Sequence, residues 1–385
     1  MKKHKMKLND DAFSLIKCGS KTIELRLYDE KRKLIKVNDI IEFENIKTNE
    51  KLLTKVINLY LYPSFEELYK HFDKISMGYK EEEVADASDM DVYYSKEKQA
   101  KYGVIGIEIK VLKDGGNMET VKNQKGIQKL NNNKIIGDIS LENSSIEFKG
   151  QNNILFCNSH IKIVNSKLRF TGNNSLIFFD ENNYPFSINI RVGTDSVFYL
   201  GKDCYLNKTS NMYATERKNI LIGKECLLSF GCYFRTADPH LIYDVKTKKR
   251  LNFSKSIIIG DHVWIGQNSL ILKNTFIGSG AIIGGSSVVS NKRIESNTIY
   301  AGNPARKIKD GVFYSSPMST HDFDKFKEIE SKIYDSDAYV YEKDETTQNL
   351  EKINNDLLNI ELAADKIKYL LNNISNNDNK NRFYL

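Results

Sequence analysis

A six-residue period in residues 257–292 limits what this chain can fold into more than any other feature. The text runs IIIGDH, VWIGQN, SLILKN, TFIGSG, AIIGGS, SVVSNK. An aliphatic residue recurs at Ile259, Ile265, Ile271, Ile277, Ile283 and Val289, and Gly260, Gly266, Gly278 and Gly284 follow four of them. Neither an α-helix nor a simple alternating strand has that period. A triangular coil does: each flat side takes one hexapeptide, the aliphatic residue points inward, and the small residue after it turns the corner. Weaker rungs stand upstream at Val192-Gly193, Leu200-Gly201 and Ile222-Gly223. The Asn-rich text from Ile135 to Phe179 continues the coil, with Asn at corners that need left-handed backbone. A β-sandwich would need six accidental matches.

The flanks read differently. In residues 1–112, Asp10–Lys17 has helical spacing, and Phe65–His71 reads as a second helix. Thr22–Leu27, Val37–Phe43, Leu53–Leu61 and Tyr102–Ile109 read as strands, giving a small α+β barrel-like domain. Lys113-Asp114-Gly115-Gly116-Asn117 marks a boundary, and a polar linker runs to Lys134. Beyond Pro317 the pattern turns helical, over Asp322–Tyr334 and again over Thr346–Asn373. The last residues read as a polar, frayed tail.

No apolar run approaches the roughly 20 residues a bilayer span needs, and 21 Tyr with 19 Phe exclude wholesale disorder. The basic N-terminus has no apolar segment behind it, so a cytoplasmic chain is expected. The five cysteines lack metal-ligand spacing, which fits free thiols and no metal site. Charge is uneven. Residues 1–112 carry 21 Lys+Arg against 20 Asp+Glu, residues 113–317 carry 27 against 16, and residues 318–385 carry 9 against 14. The positive field belongs to the middle segment, where it would draw anionic partners.

The repeat is interrupted between the Ile222 rung and the Ile259 run by Arg235-Thr236-Ala237-Asp238-Pro239-His240-Leu241-Ile242-Tyr243-Asp244 and a Lys-rich stretch, Lys246–Lys255. A long loop on a rigid coil is where function concentrates. It holds one histidine between two carboxylates, Asp238 and Asp244. A neutral imidazole can take a proton from an alcohol, and a carboxylate can fix its tautomer.

In combination these motifs resemble the hexapeptide-repeat, left-handed β-helix acyltransferases, and within them the capsular polysaccharide and sialic-acid O-acetyltransferases. The text that carries the resemblance is DPHLIYD, SIIIGDHVWIG, the IG-x-G-A-x-IG-x-SSVV rung and Ile299–Ile308 with its GNPAR turn. It is strong over Leu200–Lys309 and weaker upstream. It implies that His240 is the general base and that Trp264 lies beside the acceptor and acetyl-CoA. It also implies that Gly266, Lys273, Gly284, Gly285, Asn303, Arg306 and Lys307 bind coenzyme A, and that three chains assemble. His262, within the coil, reads as an outward residue and not a second base. Direct transfer from acetyl-CoA to a sugar hydroxyl is expected, with a backbone N–H or the Trp264 indole N–H meeting the oxyanion. Lys246, Lys248, Lys249 and Arg250, just past the loop, point to an anionic polysaccharide acceptor. N-acetylation of a sugar amine is the alternative within the same class.

Gly19-Ser20-Lys21-Thr22-Ile23-Glu24-Leu25-Arg26, Asp39–Phe43 and Tyr102–Ile107 resemble the ASCH domain of the PUA-like barrels, with Lys21, Glu24 and Arg26 on one strand. That resemblance implies a nucleic-acid or nucleotide ligand and a second reading of the whole chain as an RNA-binding protein on a trimeric scaffold. The fold class expected is therefore multidomain: an N-terminal α+β PUA-like barrel (1–112), a linker (113–134), a central left-handed parallel β-helix (135–310), a C-terminal α-helical segment (318–373) and a tail (374–385). The stripe Leu350, Ile353, Leu357, Ile360, Ala364, Ile367 and Leu371 has heptad spacing, which suits pairing between chains or packing on the chain's own coil.

Overall fold

The computed structural model describes residues 2–112, 118–127, 130, 133–316, 320 and 324–385. It divides into two units, Met1–Asp114 and Gly115–Leu385. Among the described residues no helix is long and apolar enough to cross a membrane.

In the first unit, Lys3–Leu8, Ile40–Asn45, Lys51–Tyr62, Val104–Leu112 and Ile23–Leu27 form, in that order, a five-stranded half-barrel sheet whose first pair is parallel and the others antiparallel. Strict alternation buries Ile41 and Phe43. The helix Asp10–Cys18 is capped by the Asn9 side chain on the Ala12 N–H, ends at Gly19 in the left-handed region, and buries Phe13 and Ile16. The strand Lys3–Leu8 escapes the sequence reading because three of its six residues are lysines, which hide the inward Met6 and Leu8.

In the second unit, parallel strands stack into the three sides of a β-helix. In the last coils Ile257 pairs with Thr275, eighteen residues on, which is three hexapeptides per turn. Upstream, Ile154 pairs with Leu176, twenty-two residues on. The extra residues sit in the corners, and that is why the hexapeptide text decays there. Asn143, Asn152, Asn165 and Asn174 all turn corners with φ between 48° and 58°. Gly260 is needed for a different reason: a Cβ there would lie 2.7 Å from the Ser279 amide of the next rung. Inward residues form one continuous core, including the stacked Phe148 and Phe170 rings at 4.5 Å. The stretch read as linker contributes to it: Glu119–Val121 pairs antiparallel with Ser145–Phe148 and buries Val121. A three-residue edge strand is too short to show a period.

The C-terminal segment corrects two expectations. The single helix over 346–373 is two, Leu350–Asn359 and Ala363–Leu370, followed by a π-turn at Leu371–Ser375. The break is set by the coil, because the corner residue Asn174 accepts the Ala363 N–H at 2.9 Å and donates to the Glu361 carbonyl. Most of the apolar stripe packs on the chain's own coil: Leu350, Ile353, Leu357 and Ile367, joined by Ala363 and Leu370, lie against Leu176, Phe178, Tyr199, Leu221 and Ile258, with Ile360 and Leu371 partly buried beside them, whereas Ala364 of the stripe is exposed. Among the described residues, the heptad face of these helices is thus covered mainly by the coil. The tail is not frayed. Arg382 is 1 % exposed, spans both carboxylate oxygens of Asp261 at 2.7 and 2.8 Å, and is followed by buried Phe383. A polar NNDNKNR text hides this, since the buried partner of Arg382 lies 121 residues away. Of the helix expected over Asp322–Tyr334, Lys325–Glu330 is helical, and Asp322 and Phe323 lie outside the described residues.

Candidate active site

The coil opens after the strand Tyr233–Arg235 and closes again at Ile257–Ile259. The excursion between them carries His240. It is a built loop: Tyr243 and Arg250 bridge antiparallel, and the Asp244 carboxylate accepts the Lys246 and Thr247 N–H groups at 3.0 and 2.7 Å. Those backbone N–H bonds hold the Asp244 carboxyl below the usual range. Asn252, 8 % exposed, is the centre of the loop. Its Nδ2 donates to Asp238 Oδ2 at 2.9 Å and to the His240 carbonyl at 2.8 Å, and its Oδ1 accepts the Ile242 N–H at 2.8 Å. Asp238 is also held by Lys273 Nζ at 2.5 Å, from the corner after the neighbouring strand Leu270–Leu272, and this bond lowers its pKa.

The His240 side chain is exposed, while its backbone carbonyl is pinned. Among the described residues the carboxylate contact read from the sequence is not made: Asp238 is taken by Lys273 and Asn252, and Asp244 by its own turn. Asn252 is the residue that sequence reasoning missed. Its only signal is a lone Asn before the chain re-enters the coil, and nothing in the text says its amide faces inward.

Trp264 lies on the third side of the coil, paired with Leu227 and Ile282 of neighbouring rungs, 37 % exposed, with its indole Nε1 donating to Ser229 Oγ at 3.4 Å. His262 points outward yet is buried, because its ring is stacked between Tyr314 and Tyr339 at 4.1 and 3.9 Å and bonds the Tyr314 carbonyl at 2.9 Å. Burial lowers its pKa, favouring the neutral ring.

Gly266 and Gly284 are tight corners: a Cβ on Gly266 would meet the Gly285 amide at 2.5 Å, and one on Gly284 the Ala301 Cβ at 2.8 Å, whereas Gly285 has room for a Cβ, with nothing nearer than 3.4 Å. Asn303 and Pro304, joined by a cis peptide, turn the hairpin between Thr298–Gly302 and Ala305–Asp310. Arg306 on this hairpin is exposed. Lys307 is bound by Asp310 at 2.9 Å and Glu295 at 3.1 Å, which raise its pKa, so its charge is already matched. Lys246, Lys248 and Lys249 are exposed around the turn. Arg250 is held by Glu216 at 2.7 Å.

The first unit has a pocket of its own, about 280 Å³, lined by Lys21, Glu24, Arg26, Met90, Tyr93 and Tyr94. Glu24 is 3 % exposed and pairs with Arg26 at 2.8 Å and Lys21 at 3.3 Å. Burial pushes its carboxyl up, and the two cations more than reverse this.

Residues 6–113 match the ASCH domain family. A polysialic acid O-acetyltransferase of Neisseria meningitidis is 32 % identical over 147 residues, 36 % of this chain and 64 % of the relative. A polysialic acid O-acetyltransferase of Escherichia coli O1:K1 / APEC is 39 % identical over 51 residues, 13 % of this chain and 17 % of the relative. The chain thus spans 64 % and 17 % of the lengths of these two curated relatives. Among solved structures, that of the polysialic-acid-specific acetyltransferase NeuO aligns at 26 % identity over 52 % of this chain and 93 % of that one, with a TM-score of 0.45.

Proposed function

We propose that the β-helix unit transfers an acetyl group from acetyl-CoA to a hydroxyl of an anionic cell-surface polysaccharide or its sugar precursor. His240 is the general base. One observation carries the reading: the long excursion of the coil holds a histidine backbone rigidly through a buried Asn252 while leaving the imidazole exposed. Both relatives named above are polysialic acid O-acetyltransferases, which makes an acidic glycan the natural acceptor to test.

In the reaction, a neutral His240 nitrogen takes the proton of the sugar hydroxyl. The oxygen attacks the thioester carbonyl, the C–S bond breaks, and the imidazolium returns its proton to the leaving thiolate. Of the two cations read as coenzyme A ligands at the hairpin, Arg306 suits the phosphates better, since Lys307 is matched within the chain. Asp238, held by Lys273, supports the loop and not the imidazole. The homotrimer belongs to the same proposal. It is supported by an apolar ladder facing outward on consecutive rungs, Tyr205, Leu227, Trp264, Ile282 and Ile299.

The test is incubation of the purified chain with acetyl-CoA and polysialic acid. The proposal expects free coenzyme A and acetyl ester to appear in equal amounts, and thiol release without glycan acetylation would refute the acceptor. A second reading rests on the half-open Lys21, Glu24 and Arg26 pocket, which suits a nucleotide or base as a separate ligand of the ASCH domain.

A further inference from the structure

The register of the coil stacks three lysines. Ile220 pairs with Ile257, and Ile257 with Thr275, on successive rungs of one side. Lys218, Lys255 and Lys273 each lie two residues before these strand positions. Successive rungs are about 4.8 Å apart, so the three form a file that ends where Lys273 holds Asp238 of the His240 loop. Beside the file runs an open groove of about 620 Å³ whose lining includes Thr194, Glu216, Arg217, Phe253 and Ser254.

The charges of this groove are not balanced from within. Arg250 is paired with Glu216 at 2.7 Å, Arg217 with Asp195 at 3.0 Å, and Lys273 with Asp238. Among the described residues Lys218 and Lys255 have no carboxylate within 4.0 Å. Lys218 is half-buried, and its pKa is lowered first by that burial and then by the charge of Lys255, which the carboxylate of Glu216 offsets only in part. An anion set between them would relieve both penalties. Phe253, on the outgoing arm of the loop, is 59 % exposed in the same groove, with the Arg250 guanidinium 5.1 Å from its ring centre. A flat apolar surface next to two unmatched ammonium groups suits a ring that carries a carboxylate, and a phosphate has no use for the phenyl.

We propose that the groove between Lys218, Lys255 and Phe253 is a glycan subsite that seats a carboxylate-bearing sugar residue of a long acceptor, apart from the residue being acetylated. The subsite deepens the acceptor assignment above and rests on it for its role. Its binding is measurable without turnover. The lysine file leads toward the His240 loop, so an acidic chain lying along it would be guided to the base.

The experiment titrates wild type, Lys218→Gln/Lys255→Gln and Phe253→Ala with polysialic acid oligomers of defined length by calorimetry, in the presence of coenzyme A. The expected result is about tenfold weaker binding of long oligomers to the lysine double variant, a shallower salt dependence, and restoration by Lys218→Arg/Lys255→Arg. Phe253→Ala should weaken oligomer binding without changing the salt dependence. Equal affinity of wild type and double variant, or no binding by wild type, would overturn the subsite. So would inorganic phosphate or a sulfated glycan of equal charge displacing the oligomer as well as a carboxylated one. Acetyl transfer is assayed separately. Binding that depends on the lysines, without transfer, would sink the enzymatic reading and leave the subsite standing.

Discussion

Asn252→Ala tests the loop. The Asn252 side chain makes three hydrogen bonds of 2.8 to 2.9 Å, to the Asp238 carboxylate, the His240 carbonyl and the Ile242 N–H. A neutral hydrogen bond is worth about 0.5–1.5 kcal/mol net and one to a charge about 1.5–3 kcal/mol, so together they hold the loop by roughly 3–5 kcal/mol. Water can enter the vacated space because the loop is exposed, which cuts the loss to about 1.5–3 kcal/mol. That is roughly a tenfold to hundredfold fall in the equilibrium constant for the ordered loop, and kcat for acetyl transfer should fall by up to that factor. The inward ladder of the coil is untouched, so Tm should fall only by the few degrees that a loss of about 1.5–3 kcal/mol implies for a unit of this size. Asn252→Asp keeps the acceptor for Ile242, loses both donors and sets a second carboxylate beside Asp238. It should fall at least as far. Initial rates against acceptor concentration, with thermal unfolding as the control, decide it. A kcat for Asn252→Ala within twofold of wild type would refute the positioning role.

Other outcomes follow from the packing. Arg382→Ala leaves Asp261 buried without its partner, at a cost of about 3–5 kcal/mol, and should lower the Tm of the β-helix unit by several degrees; an unchanged Tm would show that the tail does not bind as described. Burial pushes the Cys157 thiol up to about 12 and Cys232 up to about 11, and Cys226 is raised as well, while Cys18 is exposed with a lowered pKa. A thiol reagent should therefore label one cysteine in the folded protein and five after denaturation; rapid labelling of more than one would contradict the packing. The His4 ring, bonded at 2.9 Å, is the chief cause that lowers Asp39 to about 2 from 3.8. Its charged form favours the fold, so this contribution is full above about pH 4 and is lost as pH falls toward 2. Asp39→Asn should flatten the acid dependence of N-terminal unfolding over that window, and an identical acid profile would exclude the pair as a cause.

The period of six made the coil legible because every inward position and every tight corner repeats, down to the left-handed Asn corners. Upstream the same coil was faint, since turns of twenty-two residues break the text without breaking the inward ladder. The site was legible in its bearer, His240, because it sits where the repeat fails. Its support was not: Asn252 bonds back across ten to fourteen residues of irregular loop, and no pattern marks such a contact. The C-terminal helices showed their apolar stripe but not its partner. Heptad spacing describes one face of a helix and is silent on whether another helix or a β-helix side covers it. The lysine file is visible only after register is known, since its members lie 37 and 18 residues apart.

The most direct measurement compares wild type and His240→Ala in acetyl transfer from acetyl-CoA to polysialic acid, at saturating concentrations of both, beside their thermal unfolding. General-base catalysis contributes about 10²–10⁴ in rate. A fall in kcat of that size is predicted for the variant with Tm unchanged, because the imidazole is exposed and, among the described residues, no hydrogen bond or ring stacking ties it to the coil. Turnover near that of wild type in a folded His240→Ala protein would contradict it.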